Sequence, residues 1–331
     1  MGTSTERSNW QDDLAGVLTD WRADGRGAVV LSPDVDGLAT CALLALENDV
    51  NVIGIYTTTK LLLLDGATTS DAKKALWLDH DVSQPGVRCV GQHLIHLTPN
   101  DTLPRRESMS FNPNGWVKQS WDQSFKGRAG RKRDKYPYGT CHMIASLYGF
   151  DPGANASPEA ALLAHADGTW RTVVDYQANA DIWYDLMFQG ETFLKFLRDT
   201  WHNDPSCLSV HQETMQVLID AGVSPSASRA TIARLLPDNL KALTGNQGIR
   251  YTAKNPQAYA QRIRDVLSVC ASIVGTTPTM VADVTDIIDG AVESVYPNRV
   301  GDFDQLMLDE GIFSHAFTDF RTLRYTTGIS L

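Results

Sequence analysis

The hydrophobic pattern changes period along the chain. Across residues 10–23 apolar side chains fall at Trp10, Leu14, Val17, Leu18 and Trp21, the three-to-four spacing of an amphipathic helix. Asp24, Gly25 and Gly27 end it. Residues 28–31 form an unbroken apolar run, residues 32–37 a polar turn, and residues 38–47 return to helical spacing. Residues 51–57 are a second β-rich run. Strand, helix and strand in such close succession are the parallel crossover unit. Leu61 to Leu64 reads as a short buried segment and residues 69–74 as a helical turn or two. Residues 75–79 read as a third strand, ending at Asp79, and residues 87–95 as a fourth, ending in imidazoles.

Later segments lose the strand signal. Residues 140–148 and 158–166 read as helices, the second opened by Ser157 and Pro158. Residues 181–201, 211–221, 226–243, 257–274 and 280–295 all show spacing near 3.6. A β-prone end follows at 320–327. The expected fold is α/β: a parallel sheet flanked by helices over residues 1–180, then a mainly helical C-terminal part over residues 181–331, with the boundary at 178–182. No role for that second part is legible.

Composition narrows the function. A chain of 331 residues with 43% hydrophobic content can build a sizeable core. Its net charge of −10 argues against a protein that coats nucleic acid non-specifically. The exception is a loop, residues 98–137, where Lys126, Arg128, Arg131, Lys132, Arg133 and Lys135 fall close together. Such a run is either a solvated loop or a holder for phosphate. The five cysteines are scattered, as expected of thiols in a reducing compartment. The first residues lack a secretory leader's apolar core, and no apolar run reaches membrane-spanning length. A cytoplasmic protein is expected.

The chemistry concentrates at strand ends, where open α/β sheets build their sites. Asp34 and Asp36 stand in the turn between the first strand and its helix. Two acids at i and i+2 repel each other unless a cation lies between them. Oxygen ligands of this kind suit Mg or Mn. The alternative is an Asx-turn that caps the helix. Asp79, His93 and Asp167 follow in order. Alone, each has a bland reading: a turn residue, a core histidine, a helix end.

Taken together, Ser32-Pro-Asp-Val-Asp-Gly37, Leu78-Asp79, Gly91-Gln-His-Leu94 and Ala166-Asp167-Gly168 resemble the DHH phosphoesterase superfamily over residues 27–170. That superfamily includes RecJ-type exonucleases, oligoribonucleases and family II pyrophosphatases. The resemblance implies a parallel sheet with helices and a site for two Mn or Mg ions. Matched position by position, Asp36, Asp79, His93 and Asp167 would hold one ion, and Asp34 with Asp79 what is left of a second. The superfamily's leading histidine falls on Ser32. Its Asp-His-His triplet falls on Gln92-His93-Leu94, so an acid and a histidine are missing. The phosphate contact of that second histidine is left to His96, His80 or an arginine of the basic loop. Phosphate oxygens would also meet the helix start after Gly37 and the cations Arg128, Arg131, Lys132 and Arg133.

The implied activity is hydrolysis of a phosphodiester, in single-stranded or short nucleic acid, by one or two bound Mn2+ or Mg2+ ions. A rival reading is a degenerate scaffold that binds nucleic acid or a protein partner without turnover. A third, an ATP-using enzyme with a Ser-Gly-Gly-x-Asp-Ser loop, ranks last because Pro33 and Asp34 stand where its glycines belong. A homo-oligomer or protein partner would use the C-terminal helices.

Overall fold

β1 (Ala28–Leu31) lies in the middle of an eight-stranded sheet ordered β6 (Ser110–Phe111), β5 (Arg88–Val90), β4 (Leu76–Leu78), β1, β2 (Asn51–Tyr56), β3 (Lys60–Leu64) and β8 (Val284–Asp289), with β7 (Thr279–Met280) also paired to β2. The computed structural model describes residues 4–94, 109–116, 136–175, 177–223, 255–295, 306, 311–319 and 322–331. β2 (Asn51–Tyr56), β4 (Leu76–Leu78), β5 (Arg88–Val90) and β6 (Ser110–Phe111) continue the parallel set around β1. β3 (Lys60–Leu64) joins β2 antiparallel.

Both faces are buried at the middle of the sheet, so β1, β2, β3 and β4 are almost wholly apolar rather than alternating with polar residues. Val29, Leu31, Val52, Ile55, Leu76, Leu78 and Val90 face one core. Val30, Ile53, Leu61, Leu63, Trp77 and Cys89 face the other. Helix α1 (Ser4–Gly25) closes the first core with Trp10, Leu14, Val17, Leu18 and Trp21, as its spacing predicts. Helix α2 (Val35–Leu44) packs into the same core, whereas Ala72 of α3 (Thr69–Lys74) packs into the second. The two crossovers therefore lie on opposite faces. From β1 the chain steps one way to β2, and from β3 it returns to β4 on β1's other side. This puts the topological switch point between β1 and β4, the place where open α/β sheets leave a crevice at their carboxyl ends.

The expected helix over residues 280–295 is instead β7 (Thr279–Met280), β8 (Val284–Asp289) and β9 (Ala291–Val295). Val284, Thr285, Ile287, Ile288 and Val292 are β-branched, a composition that favours a pleated surface. Leu61–Leu64 of β3 supplies the open edge, with Leu61 opposite Ile288 and Leu62 opposite Ile287. The C-terminal part is thus not mainly helical in residues 279–295, and it shares the main sheet. It shares the first core too, since Ile263, Leu267 and Cys270 of the helix Pro256–Val274 pack there with α2.

The expected helix over 181–201 is divided. Gln177–Trp183 runs into a π-helical turn, Tyr184–Phe188, and the chain restarts as Thr192–Asp199 after Gly190 at a φ of 105°. The helix expected at 226–243 lies outside the described residues.

β10 (Ile312–Asp319) and β11 (Thr322–Thr327) form a second, antiparallel sheet with β9. It docks on the segment after Asp79. Phe313 carbonyl accepts from Ser83 N–H, His315 N–H donates to Asp81 carbonyl, and Phe313 stacks edge-on against Tyr56 and Trp77. Among the described residues, no helix is long and apolar enough to cross a membrane.

Candidate functional site

β5, β4 and β1 are adjacent and parallel, so their carboxyl ends open side by side. Beyond β1 comes the turn 32–37, beyond β4 comes Asp79, and beyond β5 come Gln92 and His93. Asp167 enters from the end of the helix Pro158–His165. Five residues named from the sequence, Asp34, Asp36, Asp79, His93 and Asp167, are brought together at the switch point.

Each acid is held by a specific contact. Asp34 caps α2, accepting Gly37 N–H at 2.9 Å. The capping alternative is therefore realised, yet Asp34 still feels the charges of Asp36, His93 and Asp167. Asp36 accepts the backbone N–H groups of Thr140 at 2.7 Å and Cys141 at 2.9 Å. These are the first amides of the helix Thr140–Leu147, which lack partners inside their own helix. Asp79 Oδ1 accepts Thr140 Oγ1–H at 2.9 Å and His93 Nε2–H at 3.0 Å. Asp167 Oδ2 accepts Gln92 Nε2–H at 2.8 Å.

Two of these acids adopt left-handed backbone, Asp79 at φ 59° and Asp167 at φ 51°. Left-handed geometry costs a non-glycine residue about 1–2 kcal/mol, least for Asp and Asn. Strain of this kind concentrates at functional sites. Here it turns both carboxylates toward the crevice chemistry instead of continuing the strand or the helix.

Burial decides the electrostatics. Asp34 is pushed up to about 6 by burial, with Asp36 adding to the rise and the Gly37 amide opposing it. Asp79 is also pushed up to about 6, again by burial, against the pull of His93. Asp36 rises well above the carboxylate range: burial and the charges of Asp79 and Asp167 outweigh its two amide donors. Keeping Asp34 ionised at neutral pH thus costs free energy. A bound cation would offset that cost.

In kind and in charge the donor set fits Mn or Mg: four carboxylates and one imidazole, with Asp36 and Asp79 buried and Asp34, His93 and Asp167 half-buried. The ligand geometry is not preformed. Among the described residues, no group of three or more His, Cys, Asp or Glu side chains is arranged to hold an ion, because the carboxylates are turned toward N–H and O–H donors. A carboxylate oxygen that accepts one hydrogen bond retains a lone pair for a second partner.

Other expected residues fall elsewhere. His80 packs against Tyr56 and Trp77, and burial drives its pKa down to about 3. This neutral ring sits among the side chains of the second core. Gly37 meets a local steric need. A Cβ there would meet Ser32 carbonyl oxygen at 2.5 Å, so the missing side chain lets the turn close on itself. His96, Arg128, Arg131, Lys132 and Arg133 lie outside the described residues.

Several supporting residues have little signal in the sequence. Asp81 accepts His93 N–H at 2.7 Å and Leu94 N–H at 3.0 Å on one oxygen, and Asn112 Nδ2–H at 2.8 Å on the other. It fixes the backbone from which the His93 ring reaches Asp79. His142 accepts Gly139 N–H at 3.0 Å, and burial lowers its pKa to about 4. The one available cue was Gly139-Thr140 at a helix start, directly after the basic loop.

A scan against protein-family models finds no match, and a search of curated proteins finds no similar chain.

Proposed function

We propose that this chain is a phosphoesterase of the DHH type that uses Mn2+ or Mg2+ to hydrolyse a phosphodiester in single-stranded or short nucleic acid. One observation carries the reading. Asp34, Asp36, Asp79, His93 and Asp167, drawn from four separate segments, meet as mutually interacting groups at the switch point of the sheet, with Asp36 and Asp79 buried. The nucleic-acid part rests on the sequence, where six Lys and Arg cluster between 126 and 135.

Asp36, Asp79, His93 and Asp167 would hold one ion, and Asp34 with Asp79 a second. A bound ion supplies an acidified water and charge compensation at phosphorus. The chain's own part is to orient these ligands. Thr140 fixes Asp79 and Asp36, Asp81 fixes His93, and Gln92 fixes Asp167. The test is Mn2+-dependent release of nucleotides from end-labelled oligonucleotides. Wild type should act, and Asp36→Ala and Asp79→Ala should lose activity by at least a hundredfold. Equal activity in the variants would overturn the assignment.

A second reading, a scaffold that binds without turnover, draws on two observations. Ser32 stands where a ligand histidine would, and the ligand geometry is not preformed. Calorimetry with Mn2+ separates the two readings, since a scaffold would bind the ion weakly or not at all.

A further inference from the structure

We infer that Gln92 is itself an oxygen ligand of the cation site, a neutral donor alongside the four carboxylates; this rests on the cation-binding reading above. Gln92 is wholly buried. Its side-chain Nε2–H donates to Asp167 Oδ2 at 2.8 Å, and its backbone carbonyl oxygen accepts Asn114 Nδ2–H at 2.9 Å. An ionised carboxylate only accepts, so chemistry fixes which end of the amide faces Asp167. The other end must be Oε1. That atom has no hydrogen-bond partner among the described residues.

A buried acceptor without a donor is destabilising, and such atoms are rare enough to require an explanation. The neighbouring Asp167 side chain is already engaged with the other end of the amide. A cation satisfies Oε1 and the acids together. Gln carbonyl oxygens are ordinary ligands of hard divalent ions. With Asp34, Asp36, Asp79 and Asp167 already present, a neutral oxygen adds a ligand without adding repulsion. Gln92 is also the position at which the resembling triplet carries an acid, so the amide replaces a charge in a site already rich in charge.

The experiment is calorimetric titration of Mn2+ and of Mg2+ into wild type, Gln92→Met and Gln92→Glu, with thermal melts of each in chelator. Met keeps the length of the side chain but offers a soft sulfur that hard ions reject. Glu restores an oxygen but not the N–H that orients Asp167. The proposal expects Gln92→Met to weaken binding about tenfold or more, and Gln92→Glu to bind at least as tightly as wild type. If both variants weaken binding equally, Gln92 only orients Asp167 and the proposal is overturned. If Gln92→Met binds like wild type and differs only in its melting temperature, Gln92 is structural, the proposal fails, and the phosphoesterase reading stands. If wild type binds neither ion, both fail.

Discussion

The carboxylate of Asp36 occupies the space that a side chain on Gly139 would fill: a Cβ there would lie 2.7 Å from Asp36 Oδ1 and 2.9 Å from its Cγ. This absence of a side chain lets one acid reach the first amides of a helix more than a hundred residues away in sequence. Gly139→Ala should therefore separate Asp36 from Thr140 and Cys141 and destabilise the fold by about 1–3 kcal/mol, the range for overpacking. Gly16 is the control. It is exposed within α1, with nothing near a built Cβ, so Gly16→Ala should stabilise by up to about 1 kcal/mol. Urea titrations of the two variants should move in opposite directions.

Removing Asp81 should disturb His93 without touching its ring. Asp81→Ala leaves the amides of His93 and Leu94 and the Asn112 side chain without their acceptor. The expected loss is about 3 kcal/mol, from at least one buried donor left unsatisfied. In the NMR spectrum the His93 imidazole should show the loss of its contact with Asp79, now 3.0 Å away. An unchanged His93 signal in a folded Asp81→Ala protein would refute the positioning role.

The raised carboxyl groups fix the sign of one pH dependence. Asp34 and Asp79 titrate at about 6 in the fold, above their ordinary value of 3.8. Between those values the folded state holds more protons than the unfolded state, so stability contributed by these groups falls as pH rises through 6. In chelator, Asp34→Asn should melt higher than wild type above pH 6 and converge with it near pH 4. With Mg2+ present the order should reverse, because the wild-type carboxylate then has a partner.

His211 should give the opposite slope. It is buried against His165, Trp170 and Trp201, and neither ring nitrogen has a partner among the described residues. Burial, with His165 adding, holds its pKa well below the ordinary value of 6.5. The unfolded state then takes up a proton that the fold refuses, so stability falls as pH drops below 6.5. His211→Phe should weaken this acid sensitivity. Melting temperatures from pH 7 to pH 4.5 test it, and equal slopes in the two proteins would count against it.

How much of this was legible in the sequence depends on the range of the interaction. Helix α1, the strands on either side of α2, the strand ending at Asp79 and the cap at Ser157 were all readable. Their signals lie within a few residues, in hydrophobic period and cap chemistry. Residues 280–295 are strands where the local pattern pointed to a helix. Apolar spacing there is compatible with a helix, and the choice belongs to the open edge of β3, more than two hundred residues earlier.

The site divides in the same way. The sequence by itself determined that acids would stand after β1 and β4, because a polar residue after an apolar run marks a strand end whatever the tertiary structure. It also determined that Asp34 could cap α2, a bond closed within three residues. Only the tertiary structure decided that β4 returns to the far side of β1 and so opens the crevice between Asp36 and Asp79. It alone gave Asp36 its partners at Thr140 and Cys141, and Gln92 its place against Asp167. The physical reason is that local hydrogen bonds and side-chain period are properties of neighbouring residues. The docking of a helix end or an amide on a distant carboxylate is a property of packing, fixed when both faces of the sheet are buried.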